Sequence, residues 1–323
     1  MARPLVQLVA TGGTIAMTGS PARPALSGDE LVAAVPQLEE VADLRVYQHS
    51  NVPGVNLDPR SMAAALGAAW EAVKADGAAG AVLTQGTDTI EETAELARLT
   101  WDRDEPLAIT GAIRTGGSLG SDGPLNLLDA VRFAASPEAR GLGPVVVFDG
   151  LAHPAGEVVK AHSWRTDAFA SEAPVAEIRE GRVLVRNPPS GVRNVVADPG
   201  HLGPRLGEAH VPIIAVAAGM DGRVIEQDDA AAVVLIALGA GHLPEAMLPG
   251  VDSLLARGVP VVICARPARG GTLERTYGFA GSEVDLAERG AILAGEASPW
   301  KARMRVLVAL ALDQDPRDLF GGA

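Results

Sequence analysis

Short apolar runs alternate with stretches of helical periodicity along the first half of this chain. Leu5–Ala10, Ala78–Thr84, Pro106–Gly111 and Gly143–Phe148 are nearly unbroken apolar segments, the pattern of strands buried on both faces of a parallel sheet. Leu44–Gln48 is a further strand candidate. Between these runs, Pro59–Lys74 brings Met62, Leu66, Ala69 and Val73 onto one helical face. Residues 90–101 and Leu125–Ala135 also read as helices, and Gly28-Asp29-Glu30 opens a short one ending near Pro36. Thr18–Gly28 and Arg114–Pro124, rich in Gly, Pro and Ser, read as loops, the first of them mobile. Strands alternating with helices predict βαβ units, right-handed crossovers and a parallel sheet.

The pattern breaks between Asn187 and Pro212, where five prolines and four glycines mark a linker. A second α/β unit follows. Ile213–Ala217 reads as a strand, and Asp228–Leu238 as a helix and the start of another strand. Gly250–Arg257 reads as a helix, Val259–Ala265 as a strand, and Pro299–Leu312 as a long terminal helix. The expected organisation is two α/β domains with mostly parallel sheets: a larger one over 1–188, a linker over 189–211 and a second domain over 212–323.

Composition agrees with a globular chain: 323 residues are 47% apolar and 21% charged, with only 3% aromatic, so the core is built from small and branched aliphatics. A net charge of −13 argues against nucleic acid or an anionic membrane as partner. Cys264, the single cysteine, lies inside the apolar run VPVVICA and reads as a core thiol. No Cys/His zinc spacing occurs; the expectation is no metal and no cofactor. The opening MARPLVQLVA is a strand rather than a signal peptide, and no apolar run is long enough to span a bilayer. A cytoplasmic setting is the expectation.

Candidate chemistry sits where the first strand ends, at Thr11-Gly12-Gly13-Thr14. Three readings compete: a glycine turn capped by Thr14, a dinucleotide loop, or a nucleophile loop. The dinucleotide reading needs GxGxxG, and TGGTIAMTG lacks its third glycine. The nucleophile reading gains from a second strand end, Gln85-Gly86-Thr87-Asp88-Thr89, followed by a helix with Glu91 and Glu92 in its first turn.

ATGGTIA at 10–16 and TQGTDTIEETA at 84–94 resemble the two signature stretches of the bacterial L-asparaginase/glutaminase family, amidohydrolases with a threonine nucleophile. The resemblance continues through AVPQL at 34–38, TGAIRTGGSLGSDGPLNLLDA at 110–130, Lys160 in GEVVKAH and SPWKARMRVLVALAL at 298–312, covering nearly the whole chain. It implies Thr14 as nucleophile and Thr87, Asp88 and Lys160 as a second catalytic cluster, with Asp88 also holding a substrate ammonium. Burial disfavours the charged form of such a lysine and a neighbouring carboxylate favours it. The competing reading of Asp88 is a helix N-cap. Backbone around Gly13, Gly86 and Ala112 is expected to line the substrate, with N–H groups of Thr87 and Ala112 as oxyanion donors. The resemblance also implies a homo-oligomer, dimer or tetramer, and aligns His242 with a residue that family members insert into a partner's site.

Of three departures, the first two bear on the substrate and the third has no assigned effect. Family members usually hold the substrate α-carboxylate with a serine near Gly54, beside Val55; Ser50 could substitute only in a rearranged loop. The lid at 18–28 lacks the tyrosine many members carry, and Gln85 stands where histidine is common. The leading expectation is hydrolysis of the side-chain amide of asparagine through a Thr14 acyl-enzyme. The alternatives are an amidase for another amide and a silent amino-acid-binding homologue.

Overall fold

The computed structural model describes residues 2–189, 195–226 and 229–320. The chain divides into two compact units, one ending at Pro204 and one starting at Arg205. Of the expected linker, residues 190–194 lie outside the described residues. Pro199–Leu202 forms a short helix capped by Asp198, and Val196 N–H donates to Leu99 O at 2.9 Å, so this stretch belongs to the first unit.

In the first unit, β1 (Leu5–Gly12) pairs in parallel with β2 (Asp43–Val52) on one side and β3 (Gly80–Thr84) on the other. β4 (Leu107–Thr110) and β5 (Pro144–Phe148) continue the parallel series. β6 (Leu151–Pro154), β7 (Ala176–Arg179) and β8 (Arg182–Val185) then add antiparallel strands, giving the order β8-β7-β6-β5-β4-β3-β1-β2. β3, β4 and β5 are buried at every position, as their unbroken apolar sequences require.

The helices start where capping chemistry allows. α1 (Gly28–Ala33) follows a capping box: the Ser27 side chain accepts from Glu30 N–H while the Glu30 carboxylate receives Ser27 N–H at 2.7 Å. α2 (Pro59–Lys74) has Asp58 as N-cap, Pro59 in its first turn, and Met62, Leu66, Ala69 and Val73 buried on one face. α3 (Ile90–Thr100) follows the second glycine-threonine turn, and α4 (Gly123–Ala135) follows the glycine-rich loop. Leu127, Val131 and Phe133 of α4 join Val6, Leu8, Val82 and Val145 in one core cluster.

Two sequence expectations are corrected. The segment read as a mobile loop contains a hairpin, Met17–Thr18 paired with Arg23–Pro24, tied down by the Ala25 and Leu26 N–H groups on Ala16 O. In the second unit no helix occurs over 229–232; Asp228 lies outside the described residues, and the β-branched run that follows forms a buried strand. That unit carries β9 (Ile213–Ala215), β10 (Val233–Ala237), β11 (Val261–Ala265) and β12 (Ile292–Leu293), parallel and in that order. α5 (Leu248–Ala256) and α6 (Glu283–Arg289) contribute Val251, Leu254 and Leu286 to its core, and α7 (Pro299–Ala311) packs on β10 and β11. Cys264 is buried in β11, and burial pushes its thiol up to about 12, which leaves it inert.

One buried polar group makes the first unit sensitive to acid. His153 on β6 is 3% exposed, bonded through Nδ1 to Ser171 Oγ at 2.9 Å, and burial lowers its pKa to about 4. The unfolded chain takes up this proton first as pH falls, so the stabilising contribution is complete above about pH 6.5 and lost progressively towards pH 4. A His153→Gln variant is expected to lose less stability than the parent over that window, read by urea unfolding at each pH. Parallel pH profiles would contradict this.

Candidate active site

β1 and β3 are parallel neighbours, with Ala10 paired to Thr84, and β2 lies on the far side of β1. Strand order therefore reverses between β1 and β3, and the crevice beyond their carboxyl ends is the topological switch point where open α/β sheets bind ligands. Three turns leave there: 13–16 after β1, 85–89 after β3, and 53–57 after β2.

Glycine lets these loops touch. Gly12 and Gly13 have φ of +107° and +83°, and Gly13 N–H donates to Val52 O at 2.9 Å. A Cβ on Gly13 would lie 2.2 Å from Gly86 N and 2.3 Å from Gly86 Cα. One on Gly86 would lie 2.5 Å from both N and Cα of Gly54, and one on Gly54 would lie 2.9 Å from Gly86 Cα. Gly13, Gly86 and Gly54 thus stack backbone on backbone, each from a different loop. Hydroxyls stitch the same stack: Thr89 Oγ1 donates to Gly54 O at 3.1 Å, Thr11 Oγ1 to Thr84 O at 2.9 Å, and Ser50 Oγ to Thr11 O at 3.0 Å. Ser50 is therefore a structural tie here, not a substitute for the missing serine at 54. Val55, next to the stack, is 68% exposed.

Thr14 opens a single 3-10 turn, Thr14–Ala16, anchored by buried Ile15 and Ala16, and is itself partly exposed. Thr87 is buried one position beyond Gly86. Lys160, on the two-residue strand Val159–Lys160, donates from Nζ to Thr87 Oγ1 at 2.9 Å and to Asp88 Oδ1 at 3.0 Å. Its side chain is 19% exposed, whereas that of Asp88 is 53% exposed. A pair with one member so open contributes only about 0–1 kcal/mol to stability; its consequence is position. No side-chain cap is made at the start of α3, so Asp88 spends its carboxylate on Lys160 and not on the helix.

The remaining wall follows β4. Ala112 is fully buried, and Gly111 approaches so closely that a Cβ would lie 2.4 Å from Gln85 O. Asp122, in GSDGP, shapes this turn: its carboxylate accepts from Ile113 N–H at 2.9 Å, Arg114 N–H at 2.8 Å and Asn126 Nδ2 at 3.1 Å. Asn126 also donates to Gly111 O at 3.1 Å and accepts from Asp149 N–H at 3.1 Å. The resemblance puts GSDGP at 120–124 close to the site; Asn126, its partner four positions on, is what sequence reasoning missed. Gln85 is buried at the base of its loop, with Nε2 reaching Thr89 Oγ1 at 3.4 Å and Oε1 without a partner among the described residues.

His242 belongs to the second unit and sits in a cluster of its own. Its Nε2 meets Glu283 Oε2 at 3.1 Å, and its ring stands edge-on to Tyr277 and Phe279, at 5.0 and 5.2 Å between centroids. Glu283 is buried, which opposes its charge, but hydrogen bonds from the N–H groups of Tyr277 and Thr276 and from His242 outweigh this and lower its pKa. Among the described residues no group of three His, Cys, Asp or Glu side chains is arranged to hold a metal, and no helix is long and apolar enough to cross a membrane.

Two α/β units, with paired threonine turns and a lysine gathered at the switch point of the first, define a two-domain α/β amidohydrolase. The asparaginase N-terminal domain matches residues 5–191 and the glutaminase/asparaginase C-terminal domain residues 210–320, so the chain belongs to the asparaginase family. It is 35% identical to a probable L-asparaginase of Deinococcus radiodurans, over 98% of this chain and 96% of that protein. It is 32% identical to an L-asparaginase of Bacillus licheniformis, over 95% of each. The solved structure of a probable cytoplasmic L-asparaginase from Campylobacter jejuni superimposes with a TM-score of 0.87 at 27% identity, over 98% of both chains.

The glycine stack leaves no space for the hydroxyl the resemblance expects at position 54. Gly54→Ser is accordingly expected to push the 85–89 loop away, lowering both the thermal midpoint and turnover. A gain in asparagine affinity at unchanged stability would contradict the packing. Asp122→Ala strands one buried and one partly buried backbone N–H group and is expected to cost about 1–3 kcal/mol, read by urea unfolding; a loss below about 0.5 kcal/mol, the range of ordinary surface changes, would contradict its role.

Proposed function

We propose that the protein hydrolyses the side-chain amide of L-asparagine to aspartate and ammonia, with the unit that ends at Pro204 as its catalytic domain. The observation that carries this reading is Lys160 bonded to both Thr87 and Asp88, on a loop whose Gly86 packs directly on Gly13, the residue before Thr14. The L-asparaginases among its relatives support the substrate.

Thr14 Oγ attacks the amide carbon. The developing oxyanion is met by the backbone N–H groups of Thr87 and Ala112. The C–N bond then breaks, and the Thr14 hydroxyl proton, passed through Thr87 and Lys160, leaves on ammonia. Water attacks the resulting ester, gives one proton to the departing Thr14 oxygen, and frees aspartate. Asp88 holds the substrate ammonium, while Gly13 and Gly86 let the backbone approach the substrate closely. Gly54 and Val55 bound the end where the α-carboxylate sits. Without a hydroxyl at Gly54, a hydrogen bond to a charged group, about 1.5–3 kcal/mol, is missing there. Asparagine then binds about tenfold to 150-fold less tightly than to a site with that bond.

The enzyme acts in the cytoplasm, as the Campylobacter relative's name supports. It assembles as a dimer or tetramer. Supporting that, Tyr277 and Phe279 beside His242 are 44% and 49% exposed, aromatic surface suited to a partner copy. Thr14→Ala is expected to lower ammonia release from asparagine by at least about 10³-fold while circular dichroism and the thermal midpoint stay unchanged. Normal turnover by that variant would remove the mechanism. Faster release from glutamine or from simple amides than from asparagine would shift the substrate and leave the nucleophile standing.

A further inference from the structure

The geometry points to Glu91 as a positioning residue: its carboxylate receives the backbone N–H of Lys160 and so sets where the Lys160 amine stands against Thr87 and Asp88. Glu91 Oε1 accepts from Lys160 N–H at 2.8 Å. Glu91 is the second residue of α3, and Thr87 and Asp88 lie in the turn that runs directly into that helix. One lysine is thus gripped at both ends, backbone and amine, by residues of a single five-residue stretch.

The strand that carries Lys160 needs such a grip. It is two residues long, Val159–Lys160, and pairs in antiparallel fashion with Phe169–Ala170; a pair this short is not stable by itself. The other supports act on its surroundings. Phe169 packs on Phe148 with ring centroids 4.5 Å apart, Ser171 bonds His153, and Val158 and Ala168 are buried. Glu91 bonds the lysine's own peptide group. The amine makes bonds of 2.9 and 3.0 Å, so a backbone shift of about 1 Å takes both out of hydrogen-bond range. The competing account of Glu91 is a carboxylate that favours the helix N-terminus through its charge. Glutamine separates the two, since it keeps an acceptor oxygen and loses the charge.

This proposal rests on the role given to Lys160 above, and the experiment reads the two separately. Ammonia release from asparagine is measured in steady state and in single turnover for Glu91→Ala, Glu91→Gln, Lys160→Met and Glu91→Ala with Lys160→Met. Glu91→Ala is expected to lower kcat about tenfold to 150-fold, the range for losing a hydrogen bond to a charged group, with KM unchanged. Glu91→Gln is expected to keep most of kcat. In the Lys160→Met background, Glu91→Ala is expected to add nothing, because its effect runs through the lysine. Wild-type kcat in Glu91→Ala, an equal loss in Glu91→Gln, or the same further loss on top of Lys160→Met would each overturn the assignment. Wild-type kcat in Lys160→Met would overturn the role of the lysine itself, and the positioning role with it.

Discussion

The close approach of three glycine backbones at the carboxyl ends of β1, β2 and β3 is the constraint on which the site depends. Parallel strands about 4.8 Å apart do not by themselves bring the loops beyond them into contact. Here Gly13, Gly86 and Gly54 do, with spacing that excludes even one added carbon. Glycine loses more backbone freedom on folding than any other residue, so such a stack is unfavourable alone. It is offset by the buried strands beneath it and by the hydroxyls of Thr11, Ser50 and Thr89, which bond carbonyls of neighbouring loops. The outcome is a close-packed platform beside which the turns carrying Thr14 and Thr87 leave adjacent strands.

Around that platform, carboxylates organise backbone. Asp122 gathers the N–H groups that follow Ala112, and Glu91 gathers the N–H of Lys160. Each links a turn of the site to a helix start, α4 for Asp122 and α3 for Glu91. Asp88 differs, because it is half open to solvent and faces the lysine amine. Asp122 is buried and Glu91 partly buried, whereas Asp88 stands open towards solvent.

Much of this was legible in the sequence because the signals are local. The strands ending in TGGT and TQGT read as buried parallel strands, and β1 and β3 are that. Met62, Leu66, Ala69 and Val73 read as one helical face, and they are buried together. What was not legible depends on contacts distant along the chain. Gly54 reads as a missing hydroxyl, and only the approach of Gly86 shows it to be a packing position. β6, β7 and β8 are four residues each and partly exposed, too short for a periodic signal. Glu283 looks like a surface residue of a helix start, yet it is buried under His242 and two backbone N–H groups.

If two threonine turns meeting through glycine backbone make a covalent amidohydrolase, the intermediate is where the account is most exposed. The direct measurement is acid quench of the enzyme during asparagine turnover, followed by peptide mass mapping. The account predicts an aspartyl ester on the peptide that contains Thr14 and on no other. An aspartyl group on the Thr87 peptide instead would contradict it.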